Sequence, residues 1–490
     1  MLENQTESVT RPRVKEEPRW LFVDLDGTLL NSDLLWEAMA ELLRSSPIRL
    51  LLVPFWLLSG RASFKQRMTE CVQISPESLP FRESVLERIK LAHLQGRSVI
   101  LASASPYVWV RAISDYLGHF DGVLGSDEDL NLKGERKLAA IRELVAGESF
   151  EYVGDCEADV PIWKAADLAT LVHSDSKLMS SLSGSTAVHL LEEPRPGGAA
   201  QLLRALRPHQ WAKNVLVFAP LLLAHEVFDA PRVLSTVLAF IAFCCVASVG
   251  YVLNDLMDLK SDRQHPDKRT RPLASGSISV ASGFTLWMLG CVFFLVFSVL
   301  FLDLATTAML MVYLGLTMSY SLYFKKLLLL DALLLAGLYG HRILTGGVAG
   351  DVTVSPWLLV FSGFLFLSLA LVKRYSELRL LSQMGEFEDD RRAYRYEDIS
   401  AVEILGVGCG LLSVLVLCLY VSSDGVAALY PTPVLLWFMV PVMFFWISRI
   451  WMLAQRGDLP GDPVLFAIRD RSSYVCGVIM LLSAFMASLH

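Results

Sequence analysis

Long apolar segments dominate the second half of the chain, and they constrain its fold more than any other feature. Between residues 206 and 490, apolar runs are separated by short charged loops, and the mean hydropathy of the whole chain is +0.46. A bilayer core requires about 20 apolar residues per helix. A soluble helical bundle, the alternative, would not need so many separated runs. We therefore predict nine membrane spans, at about 209–227, 232–254, 280–301, 304–323, 328–348, 356–373, 402–421, 432–451 and 473–489.

Lys and Arg are concentrated in alternate loops between these segments, for example in 255–279 and 373–395. The positive-inside rule places such loops in the cytoplasm. The first residues are polar and lack the apolar core of a signal peptide. We therefore predict a multi-pass protein of the inner cell membrane, with a cytoplasmic N-terminal domain and the C-terminus outside. The net charge of −7 argues against nucleic acid as a partner.

The first 200 residues have the mixed composition of a soluble domain. A Pro/Gly-rich stretch, "EEPRPGGAAQ", separates them from the apolar half. We predict a polar tail at 1–18, a globular domain at 19–190, a linker at 191–203 and a membrane domain at 204–490.

An acidic motif, "NDLMDLKSDR", lies at the cytoplasmic end of the second predicted span. Helical periodicity brings Asn254, Asp255, Asp258 and Asp262 to one face. Clustered carboxylates repel one another unless they share a cation, and their oxygen atoms suit Mg²⁺. Bases follow directly and are candidates to bind phosphate: Lys268, Arg269 and Arg271. The alternative is a solvated loop helix with ordinary salt bridges.

This motif resembles the N-D-x-x-D-x-x-x-D signature of the UbiA family of intramembrane prenyltransferases. The resemblance covers about 206–490 and implies an all-α bundle of nine transmembrane helices. It also implies that Asp255, Asp258 and Asp262 hold Mg²⁺ and a diphosphate, with the first two catalytic and Asn254 contacting substrate. Further segments, such as "LRPHQWAKNVLVFAPLL" and "HPDKRTRPLASG", are similar to one branch of the family. That branch transfers 5-phosphoribosyl from phosphoribosyl pyrophosphate to a polyprenyl phosphate such as decaprenyl phosphate.

The second aspartate motif of ordinary UbiA enzymes is incomplete, because only Asp331 is present in the corresponding region. Nearby bases suit a lipid phosphate or a sugar phosphate instead: Lys325, Lys326 and Arg342. A buried Arg342 next to His341 is expected to be functional, and an ion pair with Asp331 is its structural alternative.

Further candidates for substrate binding lie at span ends. Lys213 and Asn214 begin the first predicted span, where snorkelling to the interface is the alternative role. Lys373, Arg374 and Tyr375 end another span, where a Lys-Arg pair also serves as a plain topology anchor.

The N-terminal domain begins with "RWLFVDLDGTLLNS", an apolar strand that ends in two carboxylates. This pattern resembles the haloacid dehalogenase superfamily, and three later segments are similar to its other motifs: "SVILASASP", "LKGERKLAAI" and "FEYVGDCEADVPIW". The resemblance implies an α/β fold, a Rossmann-like parallel sheet whose ligands bind at the carboxyl ends of the strands. Residues 33–95 are predicted to form its helical cap.

The same resemblance implies roles for individual side chains in phosphate ester hydrolysis. Asp24 is the nucleophile and Asp26 the general acid and base. Ser103 and Lys137, with Lys133 as a fallback, bind phosphate. Mg²⁺ is held by Asp24, Asp26 and Asp155, with Asp159 in support. Ser105 is expected to be a turn residue.

Within the cap, "PIRLLLVPFWLLSG" (47–60) is too short to span a bilayer and is interrupted by proline. Either this segment lies at the membrane surface or it forms part of the cap core.

The two resemblances imply a bifunctional membrane enzyme with one Mg²⁺ in each domain. Phosphoribosyl transfer to the lipid would be followed by removal of the 5-phosphate. Two alternatives stay open: prenylation of an aromatic acceptor, and a non-catalytic regulatory or lipid-binding role for the first domain. The sequence allows an oligomer.

Overall fold

A computed structural model describes residues 17–127, 131–173, 176–182, 185–191, 197–265, 268–383, 393–459 and 461–489. Residues 1–16 of the predicted tail and 192–196 of the predicted linker lie outside the described residues. The chain divides into two compact units. The first unit comprises Met1–Ala205 and Asp255–Thr285, and the second comprises Leu206–Asn254 and Leu286–His490. The loop that carries the acidic motif therefore clusters with the N-terminal domain.

Among the described residues, six parallel strands form the sheet of the first unit: β1 Trp20–Val23, β2 Ser98–Pro106, β3 Gly122–Ser126, β4 Phe150–Gly154, β5 Leu168–Leu171 and β6 Ala187–Leu190. Their order is β3-β2-β1-β4-β5-β6. The strand order reverses between β1 and β4, and doubly wound sheets bind ligands at this point. The predicted Rossmann-like sheet is confirmed.

The described residues in the N-terminal part of the first unit form nine α-helices: α1 Leu34–Ser45, α2 Val53–Leu58, α3 Arg61–Cys71, α4 Glu83–Leu94, α5 Tyr107–Leu117, α6 Glu135–Val145, α7 Val160–Ala165, α8 Ser176–Leu182 and α9 Ala199–Ala205. Apolar side chains of β1 alternate between the two faces of the sheet. Leu21 and Val23 pack into one core, and Phe22 packs into the other. The sheet is therefore covered on both sides.

The predicted cap consists of α1 to α4 and the 3-10 helix Pro47–Leu52. Only part of the segment 47–58 is cap core. Val53 and Trp56 are buried, whereas most of its other large apolar side chains are exposed.

The remaining helices are α10 Ala219–Leu223, α11 Ala230–Met257, α12 Leu259–Gln264, α13 Val280–Phe301, α14 Leu304–Leu322, α15 Leu330–Ala349, α16 Pro356–Gln383, α17 Ile399–Val421, α18 Asp424–Leu429, α19 Met439–Arg456, α20 Pro463–Ala467 and α21 Arg471–Ser488. Within the part of the chain that the structure describes, eight helices are long and apolar enough to cross a membrane. They are α11, α13, α14, α15, α16, α17, α19 and α21, some with a short 3-10 extension.

The first of the nine predicted spans, 209–227, is not one long helix. The chain forms the 3-10 helix Pro208–Phe218 and then the five-residue α10. Pro208 and Pro220 lack amide donors, and polar residues such as Asn214 are buried here. A hydropathy profile shows neither missing amide donors nor the burial of a polar side chain. For this reason the nine predicted spans are not all reproduced as long helices.

A close helix contact positions this 3-10 segment within the second unit. A methyl group on Gly346 of α15 would overlap the carbonyl of Val217, whereas a methyl group on Gly340 of the same helix would meet nothing within 4 Å. Small residues permit such close backbone approach in membrane bundles.

We expect Gly346→Ala to lower the thermal unfolding midpoint of the purified chain, because overpacking costs about 1–3 kcal/mol. Gly340→Ala is the matched control and should unfold at the wild-type temperature or slightly above it. Equal midpoints for the two variants would contradict the contact.

Candidate functional site

The carboxyl ends of β1, β2 and β4 meet at one edge of the sheet in the first unit. Asp24 directly follows β1, Asp155 directly follows β4, and Ser103 lies near the end of β2. Asp24 and Asp155 line a cleft of about 1540 Å³, together with Asp26 and Lys137. Most of the predicted phosphatase residues therefore lie together.

Lys137 lies in the first turn of α6 and reaches the predicted nucleophile. Its ammonium group donates to Asp24 over 2.8 Å and to the hydroxyl of Tyr152 over 2.9 Å. Asp159 is 3.8 Å from the same ammonium group and accepts a hydrogen bond from Tyr152. All four side chains are buried. The fallback candidate, Lys133, is exposed.

Burial dominates the electrostatics of this cluster. It raises the pKa of Asp24 to about 8, although Lys137 opposes the rise. Burial also raises the pKa of Asp155 to about 6, with a further contribution from Asp159. Burial opposes the charge of Lys137, but Asp24 and Asp159 raise its pKa overall. The carboxylates thus outnumber the cations, and an additional cation would favour their ionised forms.

Asp26 is held by three donors. One carboxylate oxygen accepts from the backbone N–H of Leu34, over 2.7 Å. The other accepts from the hydroxyl groups of Ser103, over 3.2 Å, and Ser105, over 2.7 Å. The expectation that Ser105 is only a turn residue is therefore wrong: alternation along β2 directs Ser103 and Ser105 to the same side.

These residues fit a magnesium ion. Asp155 and Asp159 have oxygen atoms close enough to share an ion, together with the less suitable sulfur of Cys156. Asp159 also accepts from the backbone N–H groups of Asp155 and Cys156, which suits the predicted supporting role. A methyl group on Gly27, whose φ is +76°, would overlap the Asp155 carboxylate. This glycine leaves room for the carboxylate beside the nucleophile loop.

The acidic motif of the membrane domain begins on α11 and continues on α12. The helix is interrupted at Asp258, so the acidic residues do not lie on one continuous helix as predicted. Asp255 and Asp262 nevertheless converge, because both form ion pairs with Arg271, at 3.3 Å for Asp255. Both carboxylates are buried, and Asp258 is half-buried.

The convergent carboxylates of Asp255 and Asp262 face one cation, the guanidinium of Arg271. Burial raises the pKa of Asp262, and Arg271 opposes the rise. Carboxylate oxygens are the ligands that Mg²⁺ prefers in proteins. Lys268 and Arg269 belong to the adjacent 3-10 turn Lys268–Thr270, and Arg269 is exposed. The loop therefore combines carboxylates with bases that can contact phosphate oxygens.

A buried ion pair within the first unit anchors this loop. The guanidinium of Arg263 donates to both carboxylate oxygens of Glu37 on α1, over 2.7 and 2.9 Å. It also donates to the carbonyl groups of Ser78, over 3.1 Å, and Ala274, over 3.3 Å. Neither side of this pair was predicted from the sequence.

We expect Glu37→Ala to lower the thermal unfolding midpoint clearly, because removing one partner of a buried pair costs about 3–5 kcal/mol. Glu41→Ala, on the same helix, removes a surface pair with Arg44 and should cost at most about 1 kcal/mol. A small, equal effect of both changes would mean that the pair does not anchor the loop.

In the second unit, several predicted residues form a polar cluster, which we define as Lys213, Asn214, Arg342, Lys373 and Asp462. Lys213 forms an ion pair with Asp462, and Lys373 is 4.0 Å from the same carboxylate. Arg342 donates to the amide oxygen of Asn214 over 2.9 Å. Asp462 was not predicted. Its signal was an acidic residue directly before a proline, Pro463, in a loop between two predicted spans.

Arg342 is buried among neutral acceptors and aromatic rings. Besides Asn214, it donates to the carbonyl of Leu338, over 2.7 Å, and to the hydroxyl of Tyr313, over 2.8 Å. Its guanidinium lies 5.0 Å from the ring centre of Tyr313 and 5.3 Å from that of Tyr339. Such rings favour a cation without neutralising its charge.

The alternative ion pair between Arg342 and Asp331 is wrong. Asp331 instead pairs with Arg374 of the next helix at 2.8 Å and accepts from the hydroxyl of Tyr394 over 2.6 Å. Asp331 and Arg342 are eleven residues apart on α15, about 16 Å along its axis. Their separation along one helix prevents the contact.

Arg374, Tyr375, Lys325 and Lys326, which were also predicted to bind substrate, lie outside the polar cluster. Arg374 is buried in its ion pair with Asp331, and Tyr375 packs edge-on against Trp451 in the apolar core. Lys325 and Lys326 lie on the 3-10 turn Phe324–Lys326, where Lys326 is exposed. The structure gives these four residues structural or surface positions.

Comparisons with known proteins agree with this division of the chain. Residues 215–469 match the UbiA prenyltransferase family, and residues 21–164 match the haloacid dehalogenase-like hydrolases. An uncharacterized protein of Sinorhizobium fredii, y4nM, is 36% identical over 96% of this chain and 91% of its own length.

Two other relatives match a little over half of the chain. The nodulation protein NoeC of Azorhizobium caulinodans is 38% identical over 56% of this chain and 88% of its own length. A decaprenyl-phosphate phosphoribosyltransferase of Mycobacterium tuberculosis is 30% identical over 58% of this chain and 92% of its own length.

Both predicted family resemblances are confirmed. The family match covers more than half of the chain, and the eight apolar helices indicate a multi-pass integral membrane protein. The chain belongs to the UbiA prenyltransferase family, has decaprenyl-phosphate phosphoribosyltransferases among its homologues, and carries a haloacid dehalogenase-like domain in its N-terminal part.

Proposed function

We propose that this protein transfers 5-phosphoribosyl from phosphoribosyl pyrophosphate to a polyprenyl phosphate and then removes the 5-phosphate. The product would be polyprenylphosphoryl ribose. The proposal combines a phosphatase-like site in the first unit with relatives named for phosphoribosyl transfer to decaprenyl phosphate. We assign one Mg²⁺ to each site.

The contacts of Asp331 are the observation that favours phosphoribosyl pyrophosphate over a prenyl diphosphate as the donor. A second aspartate motif would be needed to hold a prenyl diphosphate in the ordinary UbiA manner, but Asp331 is neutralised by Arg374 and bonded to Tyr394. The polar cluster instead contains three cations, Lys213, Lys373 and Arg342, and one anion, Asp462. Its surplus positive charge suits a lipid phosphate or a sugar phosphate.

Transfer is a substitution at the anomeric carbon of ribose. A phosphate oxygen of the lipid forms the new bond as the bond from that carbon to pyrophosphate breaks. Asp255, Asp258 and Asp262 would hold Mg²⁺, which when bound offsets the charge of the leaving group. Arg271, Lys268 and Arg269 supply donors to phosphate oxygens from the same loop. The lipid phosphate is already ionised, so the chain needs no strong general base.

Removal of the 5-phosphate proceeds in two displacements. Asp24 attacks phosphorus and forms an aspartyl-phosphate, while Asp26 donates a proton to the departing sugar hydroxyl. Asp26 then takes a proton from water, which attacks phosphorus and releases inorganic phosphate. Ser103 and Lys137 orient the phosphoryl group, and Ser105 with Ser103 keeps Asp26 in place. Mg²⁺, held by Asp24 and Asp155, would reduce the charge repulsion between nucleophile and phosphate.

We also propose that the first unit faces the cytoplasm and that the C-terminus lies outside. Eight crossing helices would return the chain to its starting side, so the segment before α11 must complete the ninth passage. The 3-10 helix Pro208–Phe218 has 11 residues and about 2 Å of rise per residue, a length of about 22 Å. This segment with α10 is long enough to cover most of the apolar layer.

Donor competition tests the proposal. The full chain in lipid nanodiscs receives Mg²⁺, decaprenyl phosphate and phosphoribosyl pyrophosphate labelled in the ribose ring. We expect label in the lipid fraction, suppressed by excess unlabelled phosphoribosyl pyrophosphate but not by geranylgeranyl diphosphate. A lipid fraction without label, or label that geranylgeranyl diphosphate also suppresses, would contradict the choice of donor, and the second result would favour prenylation of an aromatic acceptor.

A further inference from the structure

A stripe of exposed apolar side chains runs along the segment 47–58 of the first unit. Ile48 is 77% exposed, Leu51 72%, Phe55 65% and Leu58 85%. Their spacing of three, four and three residues places them on one side of a continuous run of helical turns. Contiguous apolar patches of this kind mark interaction sites, unlike single exposed leucines.

The opposite side of the segment is fixed to the domain. Val53 and Trp56 are buried in the cap core, where Phe64 and Met68 of α3 also pack. The segment is therefore held in place, and the stripe faces away from its own core. Twelve residues are too few to cross a bilayer as a helix.

The charges around the stripe suit an anionic lipid surface. Residues 42–69 contain no Asp or Glu, although the whole chain has a net charge of −7. The same residues contain five bases, of which Arg49 and Arg67 are exposed, whereas Arg44 pairs with Glu41 and Lys65 donates to the carbonyl of Ala104 over 2.7 Å. Apolar side chains combined with basic ones are the composition of helices that lie in the membrane interface.

The position of the segment also indicates that it contacts the bilayer. The preceding helix, α1, lines a small cleft with Ala40 and Arg44, and the other side of that cleft includes Leu256 and Met257 at the end of a membrane helix. The apolar segment begins only three residues after Arg44. Within the first unit, the stripe thus starts beside a point where the chain enters the membrane.

We propose that residues 47–58 lie in the interface of the bilayer and form a second, non-covalent anchor of the first unit. The apolar stripe contacts the upper acyl region of the lipids, and basic residues contact the headgroups. This inference concerns membrane contact alone and does not depend on the reaction that the enzyme performs.

Site-specific quenching tests the inference on the full chain in nanodiscs that contain anionic lipid. A genetically encoded fluorescent amino acid replaces Phe55, Leu58 or, as the control, Leu94. Leu94 is 84% exposed and lies at the end of α4, before the first residue of β2 and at the opposite edge of the sheet from Asp24. All three positions are exposed, so folding should be kept, and the thermal midpoint of each variant checks this.

We expect lipids brominated near the headgroup to reduce emission at positions 55 and 58 at least about twofold, since interfacial helices lie about 5–10 Å into the headgroup and acyl boundary. Iodide in the buffer should quench position 94 instead. Equal iodide quenching at all three positions would overturn the proposal. Protection of positions 55 and 58 from both quenchers would also overturn it, because the stripe would then be covered by protein.

Discussion

Asp24→Asn should abolish phosphatase activity, lowering the rate of phosphate release from a soluble monoester by at least about 10³-fold, the scale on which loss of a nucleophile acts. The amide cannot attack phosphorus, and its size keeps the packing around Lys137 unchanged. The measurement is release of inorganic phosphate by the full chain in nanodiscs with Mg²⁺. In the wild type, the carboxylate of Asp24 accepts a hydrogen bond from the ammonium group of Lys137 over 2.8 Å.

Asp115→Asn is the matched control, because Asp115 is an exposed carboxylate on α5 that pairs with Arg111 at the surface. It should retain wild-type phosphate release. Unchanged activity in Asp24→Asn, or a loss of equal size in both variants, would contradict the assignment of the nucleophile.

Asp255→Asn should lower transfer of the labelled ribosyl group to lipid by more than about 100-fold, while phosphate release from a soluble monoester stays at the wild-type rate. Changes to residues that merely support a metal ligand already cost about 10–100-fold, so loss of a ligand should cost more. Asp255 is buried and forms an ion pair with Arg271, which also pairs with Asp262. The substitution keeps the volume and removes the charge that the cation requires.

Asp424→Asn serves as the control for this second variant. Asp424 is an exposed carboxylate at the beginning of α18. Transfer at the wild-type rate in Asp255→Asn would contradict the role of the acidic motif. Parallel loss of both activities would instead indicate that the first unit no longer folds.

Much of the phosphatase-like site was predictable from the sequence because several of its residues directly follow a recognisable strand or lie in the first turn of a helix. Asp24 and Asp155 directly follow β1 and β4, and parallel strands bring their carboxyl ends together without further information. Lys137 lies three residues after Gly134, the N-cap residue that precedes α6. Ser105 was missed because one polar residue at a strand end does not reveal which carboxylate it will meet.

The polar cluster depended on contacts that local patterns do not contain. Lys213 and Asp462 are 249 residues apart in the chain and belong to different elements. Asp331 pairs with Arg374 rather than with the arginine of its own helix. Hydropathy identified the membrane domain, but it could not distinguish a continuous span from the proline-interrupted 3-10 segment that carries Lys213 and Asn214.

The proposal that both reactions occur in one chain is tested most directly by the phosphate content of the ribosylated lipid. The wild-type chain in nanodiscs is incubated with Mg²⁺, decaprenyl phosphate and phosphoribosyl pyrophosphate, and the lipid extract is analysed by mass spectrometry. We predict a ribosyl lipid that lacks the 5-phosphate, and its 5-phosphorylated precursor when Asp24→Asn replaces the wild type. A wild-type extract without ribosylated lipid, or one in which the 5-phosphate persists, would contradict the account.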